Sequence, residues 1–243
     1  MNPVIKLLHD RKSVRSYLEK PVSEEDQNSI IDAAIQAPSA GNQLLYTILH
    51  IDDQELKEKL AVLCDNQPFI AKAPFVLIFL ADSRKWLDGY KYAGIEAREP
   101  GLGDILLASA DALIAAQNAV IAAESLGLGS CYIGDILENK EHISELLNLD
   151  KYVLPAVMLV FGYPSKQQLE RKKPKRFDKK YIVQKNKYSR MSKNQIMEMF
   201  DDVQKEEGYE FKKYMKAFCT RKYMSDFALE MNRSVKEYLS NFE

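Results

Sequence analysis

The chain has 243 residues, enough for one large domain or for a domain with an extension, and 46% of them are hydrophobic, which supplies a substantial core. Its formal net charge of −1 means that no overall field favours nucleic acid or an acidic membrane surface. The three cysteines and three histidines lack metal-site spacing, and the N-terminus lacks the apolar core of a signal peptide, so we expect no bound metal and a reducing cytoplasm.

The N-terminal segment predicts a short helix followed by an extended stretch rich in arginine. Residues 3–9 carry apolar side chains at helical spacing after a proline. In the RKSVRSY stretch that follows, Arg11, Ser13 and Arg15 are two residues apart, so an extended backbone places them on one side and Val14 on the other. Two guanidinium groups beside a hydroxyl are suited to a phosphate, and a solvated charge cluster is an equal alternative.

The second predicted helix begins after the N-cap Ser23 and ends before Pro38. The loop APSAGNQ, residues 37–43, follows it. Small and amide-bearing side chains dominate turns in general, so composition alone favours a plain turn here. The same loop is also able to lie flat against a planar ligand and to offer Ser39 and Asn42 as hydrogen-bond partners.

A second amide-rich loop, DNQPF, separates a helix capped by Asp52 or Asp53 from an apolar strand over residues 75–81. Asn66 and Gln67 of this loop carry groups that can read the edge of a heterocycle. Loop amides more commonly bond their own backbone, and this alternative stays open.

A long apolar stretch organises the chain. Over residues 106–126 the apolar side chains point in every direction, which predicts a helix buried on all sides. Asp111 and other polar residues within it argue against a membrane span. Gly127 predicts the end of the helix. Whether Gly127, Gly129 and Gly134 only turn the chain or also admit a ligand stays open.

Helices and short apolar strands alternate over the first two thirds of the chain. Residues 83–103 are predicted to be an irregular excursion, residues 139–147 an amphipathic helix and residues 153–162 a second buried strand. This order is typical of an α/β or α+β fold around one sheet. The dinucleotide-binding GxGxxG fingerprint, the P-loop and the GxSxG elbow are absent.

Residues 166–190 differ in character, with eleven basic and two acidic side chains. Such a segment can bind nucleic acid, clasp a small phosphate or form a solvated linker, and the linker is the simplest interpretation. Ser192 and Gln195 then predict a capped helix, and amphipathic helices continue to Glu243. We expect these helices to dock on the main domain or on a second chain, because isolated helices of this kind are unstable.

Five segments in this order resemble the nitroreductase family of flavin-dependent oxidoreductases, in the branch of nitroreductases and flavin reductases with a C-terminal helical extension. They are RKSVRSY at 11–17, APSAGNQ at 37–43, DNQPFI at 65–70, AQNAVIAAESLGLGSCYIG at 116–134 and KPKRFDKKYIVQKNKY at 173–188. The resemblance implies an α+β fold with three α/β/α layers, a central mixed sheet and a long buried central helix. It also implies a core over 1–165, a basic segment over 166–190 that completes the cofactor site, and a helical extension over 191–243.

The resemblance further implies an intertwined homodimer with FMN at the interface. Arg11, Lys12, Ser13 and Arg15, with Arg176, would hold the phosphate and ribityl chain. The partner chain would line the ring system. The residues implied for the ring and the ribityl edge are Pro38, Ser39, Ala40, Asn42, Asn66, Gln67, Tyr132, Ile133 and Gly134, with Lys175 or Arg176 beside the flavin N1 edge.

The implied activity is hydride transfer from NADPH or NADH to FMN, and from there to a nitroaromatic, quinone or free flavin. The cofactor carries this chemistry, so no catalytic side chain and no metal are expected. Two alternatives are a flavin-binding protein without turnover and a nucleic-acid-binding module that uses residues 166–190; membrane and nucleic-acid partners are not expected.

Two departures from the family pattern concern charge. Arg11 stands where the family often has histidine. The loop VQKEEG, Val203 to Gly208, is mainly acidic where basic residues that select the NADPH phosphate are expected. The preference between NADPH and NADH is therefore open, with Arg221 and Lys222 as candidate substitutes.

Overall fold

The computed structural model describes residues 1–204 and 208–243, which divide into two compact units. The first unit comprises Met1–Arg171 with Glu230–Glu243, and the second comprises Lys172–Leu229. The helices that lie within the first unit are α1 (Pro3–Asp10), α2 (Glu24–Ile35), α3 (Gln54–Leu63), α4 (Pro68–Ala71), α5 (Arg84–Tyr92), α6 (Leu102–Ser125), α7 (Lys140–Leu146) and α8 (Lys166–Glu170). The second unit contains α9 (Lys179–Ile182), α10 (Lys193–Gln204) and α11 (Phe211–Phe218), and α12 (Asp226–Leu239) runs from the second unit into the first.

The first unit is built on a four-stranded sheet with the order β1-β2-β4-β3. The strands are β1 (Tyr46–His50), β2 (Phe75–Asp82), β3 (Gly129–Ile133) and β4 (Val153–Gly162). All three strand pairings are antiparallel, so the expectation of a mixed sheet is wrong for these strands. The stretch after α1 makes a parallel bridge at Ser13 with Ser130 and an antiparallel bridge at Tyr17 with Pro164. Because it pairs only at isolated residues, this stretch adds no parallel strand.

Side chains of the central strand β2 alternate between two helical layers. Leu77 and Phe79 lie in a core cluster with residues of α2 and α6. Val76 and Ile78 lie in a cluster on the other face, with residues of α3, α4 and α7. Because successive side chains of a strand point to opposite faces, a strand buried on both sides reads as a continuous apolar run. The expected α+β fold with helical layers on both sides of a sheet is confirmed.

The predicted helix ends are present where the sequence placed polar caps. Ser23 Oγ accepts the backbone amide of Asp26 at 3.1 Å, and Asp53 Oδ1 accepts that of Leu56 at 2.7 Å. Gly127, at φ 78°, ends α6 in the left-handed conformation. The amide of Leu128 donates to Ala123 O and that of Gly127 to Glu124 O, which together form a Schellman motif.

The central helix is buried on one face only in the single chain, so the prediction of burial on all sides is not met within one copy of the chain. The face of α6 toward the sheet consists mainly of alanines, and it is buried. On the opposite face, Leu106 is 71% exposed, Leu107 52%, Leu113 44% and Ile114 41%, because in the described residues the sheet and α2 cover only the other side of the helix. By length and composition α6 would be able to cross a membrane, but its sheet-facing residues form the core of the first unit.

The segment 83–103 is not irregular throughout, because α5 occupies Arg84–Tyr92. Trp86, Leu87 and Tyr90 lie at helical spacing, and the ring of Trp86 donates from Nε1 to Gln43 O at 2.8 Å. The aromatic residues and Gly89 are poor helix formers, so local composition concealed this helix.

Within the second unit, an aromatic cluster joins the short helices. Phe200 of α10 lies 5.4 Å from Phe177, 5.9 Å from Phe211 and 6.0 Å from Tyr214, measured between ring centroids. The predicted capping of α10 is confirmed, because Ser192 and Gln195 exchange backbone-to-side-chain hydrogen bonds. Of the acidic loop VQKEEG, residues 205–207 lie outside the described residues.

The C-terminal residues complete the core of the first unit. Tyr238 and Phe242 are buried, and the ring of Phe242 packs edge-on against Tyr152 at 5.3 Å. Ser234 Oγ donates to Leu137 O at 2.6 Å and accepts the amide of Lys140 at 2.9 Å. Of the C-terminal helices expected to dock on the main domain or on a second chain, α12 thus packs on the first unit through its C-terminal end.

Candidate functional site

The arginine-rich stretch after α1 lies along the edge strand β3. The amide of Val14 donates to Ser130 O at 2.9 Å, and the hydroxyl of Tyr17 donates to Val14 O at 2.7 Å. A Cβ atom at Gly129 would collide with the buried side chain of Val14. Of the glycines whose role was open, Gly127 therefore turns the chain, and Gly129 lets the stretch approach the strand closely.

Arg11, Ser13 and Arg15 converge on Cys131 of β3, as the spacing of two residues predicts. Burial raises the pKa of the Cys131 thiol, while Arg15, Ser13 and Arg11 act in the opposite direction. Within the described residues, neither Arg11 nor Arg15 forms an ion pair with a carboxylate. Two unneutralised guanidinium groups beside a hydroxyl form a donor set for an anion.

Arg11 lies against the neighbouring residue of the same strand. Its guanidinium carbon is 5.8 Å from the centroid of the Tyr132 ring, and its Nε is buried without a hydrogen-bond partner among the described residues. Burial raises the pKa of Tyr132 to about 12, with Arg11 acting in the opposite direction, and its hydroxyl donates to Gln117 Oε1 at 2.9 Å. An unpaired buried donor is costly, and an anion bound here would satisfy it. The donor set therefore fits a phosphate group.

Lys12 points to a different part of the chain. Its ammonium group donates to Leu169 O at 2.8 Å and to Arg171 O, and the guanidinium of Arg171 donates in return to Ser13 O. The amide of Arg15 also donates to Gln168 Oε1 at 3.3 Å. These bonds fix the arginine-rich stretch to residues 168–171. Lys12 thus has a structural role that its position between two candidate ligands did not reveal.

The loop after α2 is held by one buried carboxylate on the central helix. Asp111, only 3% exposed, accepts the hydroxyl of Ser39 at 2.6 Å and the amides of Ala40 and Leu45 at 3.1 and 3.3 Å. Ser39 Oγ in turn accepts the amide of Leu44 at 2.6 Å. Pro38 and Asn42 are exposed, while Ser39 and Ala40 are half-buried. Asp111 therefore fixes Ser39 and Ala40 directly, and it anchors the loop that also contains Pro38 and Asn42.

The backbone of this loop has an unusual conformation. Gly41, Asn42 and Leu44 all have positive φ values, of 59°, 56° and 48°. Glycine and asparagine adopt this region readily, whereas a leucine there is uncommon and costs free energy. The bonds to Asp111 and Ser39 compensate for this strain.

Asn66 and Gln67 follow α3 in a tight turn in which Asp65 and Asn66 have φ values of 58° and 51°. Gln67 Nε2 donates to Cys64 O at 2.8 Å, so this amide bonds its own backbone. Asn66 is exposed. At the end of β3, Ile133 is buried and Gly134 is exposed with open space where a Cβ would lie.

Lys175 and Arg176 lie in the second unit, where both side chains are exposed. The residues that the structure describes contain no group of three or more His, Cys, Asp or Glu arranged to hold a metal ion. Asp111 and Cys131 belong to the candidate site, although nothing in the sequence had assigned them to it. For Asp111 a signal was present, because an acid inside an apolar helix must have buried partners.

The chain that carries this arrangement is similar to known proteins. A model of the nitroreductase family matches residues 8–163. The chain is 40% identical over 178 residues to an FMN reductase [NAD(P)H] of Bacillus subtilis, covering 72% of this chain and 70% of that protein. The chain belongs to the nitroreductase family.

Two further similarities extend over nearly the whole chain. A Cr(VI) reductase of Pseudomonas sp. is 30% identical over 238 residues, which covers 98% of this chain and 97% of that protein. The solved structure of Bacillus megaterium NfrA2 superposes with a TM-score of 0.82 at 30% identity and covers 98% of both chains. The nitroreductase match contains the Arg11 to Arg15 stretch, the Asp111 network and β3, and it ends before Lys175 and Arg176.

Proposed function

We propose that this nitroreductase is an FMN-dependent NAD(P)H oxidoreductase that reduces small aromatic acceptors such as nitroaromatics, quinones or free flavin. The observation that carries the proposal is the convergence of Arg11, Ser13 and Arg15 on one edge of β3 without a neutralising carboxylate among the described residues. The family membership and the FMN reductase and Cr(VI) reductase relatives support the same class of activity.

The residues that would hold FMN fall into groups by the part of the cofactor they suit. Arg11, Ser13 and Arg15 suit the phosphate, with Lys12 fixing their backbone and Arg176 adding charge. Tyr132, Ile133 and Gly134 would offer backbone groups at the end of β3. The ring and ribityl groups would be met by Pro38, Ser39, Ala40, Asn42, Asn66 and Gln67, and Lys175 or Arg176 would place positive charge near the ring.

When bound, FMN supplies the exchange of hydride with the nicotinamide and of electrons with the acceptor. The protein's own residues then have to bind, orient and neutralise charge. Asp111 holds the loop over residues 39–45 in its strained conformation, which fixes Ser39 and Asn42 before any ligand arrives. Such preorganisation reduces the cost of ordering the site on binding.

We infer that two copies of the chain associate through the exposed face of α6. Leu106, Leu107, Leu113 and Ile114 form an apolar face on the longest helix of the described chain, and a face of this kind is typical of a subunit interface. A two-fold interface would bring each such face against its own copy. The partner loop would then complete the flavin site, as the family resemblance implies.

We expect the double variant Leu106→Glu/Leu113→Glu to be monomeric, because two carboxylates would be buried unpaired in the interface. Sedimentation velocity of the wild type and the variant checks this. Leu169→Glu, which alters a 64% exposed leucine on α8, is the matched control and should remain dimeric. A wild-type protein that sediments as a monomer, or a double variant that stays dimeric, would contradict the assignment.

The proposed compartment is the cytoplasm. Cys64, Cys131 and Cys219 are all free, and the first two are buried. Free thiols persist in reducing compartments, which also supply NADH and NADPH. Either nicotinamide is compatible with the described residues.

The visible spectrum of the purified protein tests the proposed function. We expect a bound-flavin spectrum that bleaches with NADH or NADPH and returns when a quinone is added. A flavin carrier without turnover would keep its colour. A protein that stays colourless and takes up no FMN would overturn the proposal and favour the nucleic-acid interpretation of residues 166–190.

Arg15→Ala and Arg176→Ala should each weaken FMN binding by roughly 10- to 100-fold, since one charge-assisted hydrogen bond contributes about 1.5 to 3 kcal/mol. Equilibrium dialysis against FMN measures this, and circular dichroism checks folding. Arg84→Ala removes an arginine that pairs with Asp88 on α5, and it serves as the control with unchanged FMN affinity. Wild-type affinity in both test variants would remove the phosphate assignment.

A further inference from the structure

A groove of about 880 Å³ runs beside the arginine-rich stretch, on the side of α3 and α4. Its walls come from residues 15–19, from α3 and from the segment 68–74. Tyr17, Phe69 and Pro74 supply apolar surface. Three cationic side chains, Arg15, Lys57 and Lys72, line the same groove, with Glu19 as the acidic residue.

Lys57 is unusual among these cations. It is only 9% exposed, and its ammonium nitrogen lies 3.5 Å from Ala73 O, at the outer limit of a hydrogen bond. In the part of the chain that the structure describes, no carboxylate pairs with it. Burial of an unpaired charge is costly, so such groups are normally paired or bind a ligand.

Lys59, two residues further along α3, shows the ordinary arrangement. It is exposed and pairs with Glu55 at 2.7 Å. The same helix thus carries one lysine neutralised at the surface and another turned into a groove without a counter-charge. This contrast makes Lys59 a matched control for Lys57.

The charge of the groove is opposite to that of the unit around it. The first unit contains 18 lysine and arginine residues against 27 aspartate and glutamate residues. A cluster of three cations in an acidic unit creates a local potential that attracts anions. Arg15 belongs both to this groove and to the donor set of Arg11 and Ser13, because all three residues act to lower the pKa of the Cys131 thiol.

We propose that Arg15, Lys57 and Lys72 bind a phosphate group of a nucleotide, with Tyr17 and Phe69 beside it. A phosphate group matches cationic donors that line one groove, and the flanking aromatic surface suits the organic part of a nucleotide. Two nucleotides of the proposed function carry such groups, FMN and the nicotinamide dinucleotide. The inference rests on the proposed function only in naming FMN and the nicotinamide dinucleotide as the molecules that carry the phosphate.

The test compares FMN with riboflavin, which lacks the phosphate. Affinities of both flavins are measured by equilibrium dialysis for the wild type, Lys57→Met, Lys72→Gln and the control Lys59→Met. If the groove holds the FMN phosphate, Lys57→Met and Lys72→Gln should each lose about tenfold in FMN affinity while riboflavin affinity stays constant. If it holds the dinucleotide, flavin affinities stay constant and the KM for NADPH or NADH rises about tenfold.

Several further measurements keep the outcomes distinct. Lys57→Arg keeps the positive charge that Lys57→Met removes, and it should bind as the wild type does. A purely structural role for the lysine side chain would not require this result. Should Lys57→Met fail to fold, the exposed Lys72 carries the test alone. Titration with inorganic pyrophosphate at constant ionic strength probes the groove without any flavin. Pyrophosphate binding that depends on Lys57 supports the phosphate site in the groove. A protein that takes up no flavin would overturn the proposed function but not this result. Variants that match Lys59→Met in every assay would overturn the phosphate site.

Discussion

Replacing Asp111 with alanine is expected to lower the free energy of unfolding by roughly 2 to 4 kcal/mol and to weaken flavin retention. The carboxylate accepts one hydroxyl and two backbone amides from residues 39–45, and it is almost fully buried. Truncation leaves these donors without partners, and each unsatisfied buried group costs about 1 to 3 kcal/mol. Urea denaturation of the FMN-free protein measures the stability change, and equilibrium dialysis measures FMN binding.

The control variants distinguish the effect of losing the hydrogen bonds around Asp111 from the effect of losing its negative charge. Asp111→Asn keeps the side-chain shape and one acceptor oxygen, so an intermediate effect is expected. Ser39→Ala removes the hydroxyl that bonds both Asp111 and the Leu44 amide. In the double variant Asp111→Ala/Ser39→Ala, the loss of unfolding free energy should differ from the sum of the two single losses by about 0.5 kcal/mol or more. Asp32→Ala, on the exposed side of α2, should lie within about 0.5 kcal/mol of the wild type. An Asp111→Ala protein with wild-type stability would contradict the role assigned to the carboxylate.

The loop held by Asp111 illustrates the limit of local sequence reasoning. The residues APSAGNQ indicated a turn, and the turn is present, with positive φ at Gly41 and Asn42. The left-handed Leu44 and the bonds to a residue 66 to 72 positions away were not predictable, because they depend on where α6 crosses the loop. Local composition predicts that a chain turns, whereas tertiary contacts decide what holds the turn.

Caps and periodicities were the most informative local signals. Ser23, Asp53, Gly127 and the pair Ser192 with Gln195 each mark a helix end that the structure contains, because a cap satisfies backbone groups through neighbouring residues alone. Helix α5 escaped prediction since its aromatic residues and glycine weaken the local preference for a helix. Its Trp86 ring bonds Gln43 O, which is a tertiary contact.

The exposed face of α6 shows a different limit. A helix that is apolar all round predicts burial, but the sequence does not say whether the same chain or another chain provides the cover. In the single chain, the leucines opposite the sheet stay exposed. The candidate phosphate cluster was predictable from the spacing of Arg11, Ser13 and Arg15, because that argument needs only an extended backbone. Lys57 was not predictable, since its unpaired burial depends on the packing of α3 against residues 71–74.

Glu138→Gln is expected to remove a pH-dependent loss of stability. Glu138 is 5% exposed, and its Oε1 is buried without a hydrogen-bond partner among the described residues. Burial, together with the nearby acids Asp135, Asp65 and Glu230, raises its pKa to about 7. All three neighbours are acids, so the site disfavours the charged form of the carboxyl group.

The direction of the pH effect follows from this pKa. A carboxyl whose folded-state pKa lies above its ordinary value of 4.5 binds its proton more tightly in the folded state. Its contribution to stability is complete below about pH 4.5 and is lost as the pH rises through about 7. At about 1.36 kcal/mol for each pKa unit, the loss at pH 8 is roughly 3 kcal/mol. The neutral glutamine should therefore be more stable than the wild type at pH 8 and equal to it near pH 4.5.

Urea denaturation between pH 4.5 and 8.5 measures this difference. Glu145→Gln, on the exposed side of α7, should keep the wild-type slope. Arg233 lowers the pKa of Glu141 to about 2, so that group contributes stability above pH 4.5 and loses it only in stronger acid, outside the window of the test. Parallel slopes for the wild type and Glu138→Gln would contradict the assignment.

Hydrogen exchange should locate the same effect in the structure. Around Glu138, the amide of Asn139 donates to Glu230 at 3.1 Å, and that of Lys140 donates to Ser234 at 2.9 Å. Ionisation of Glu138 adds a negative charge beside Glu230, so these bonds to the C-terminal residues should open first as the pH rises. After correction for the intrinsic pH dependence of exchange, the amides of Asn139 and Lys140 should lose protection between pH 6 and 8 in the wild type but not in Glu138→Gln. The amides of β2 should stay protected in both proteins, because that strand lies between two helical layers.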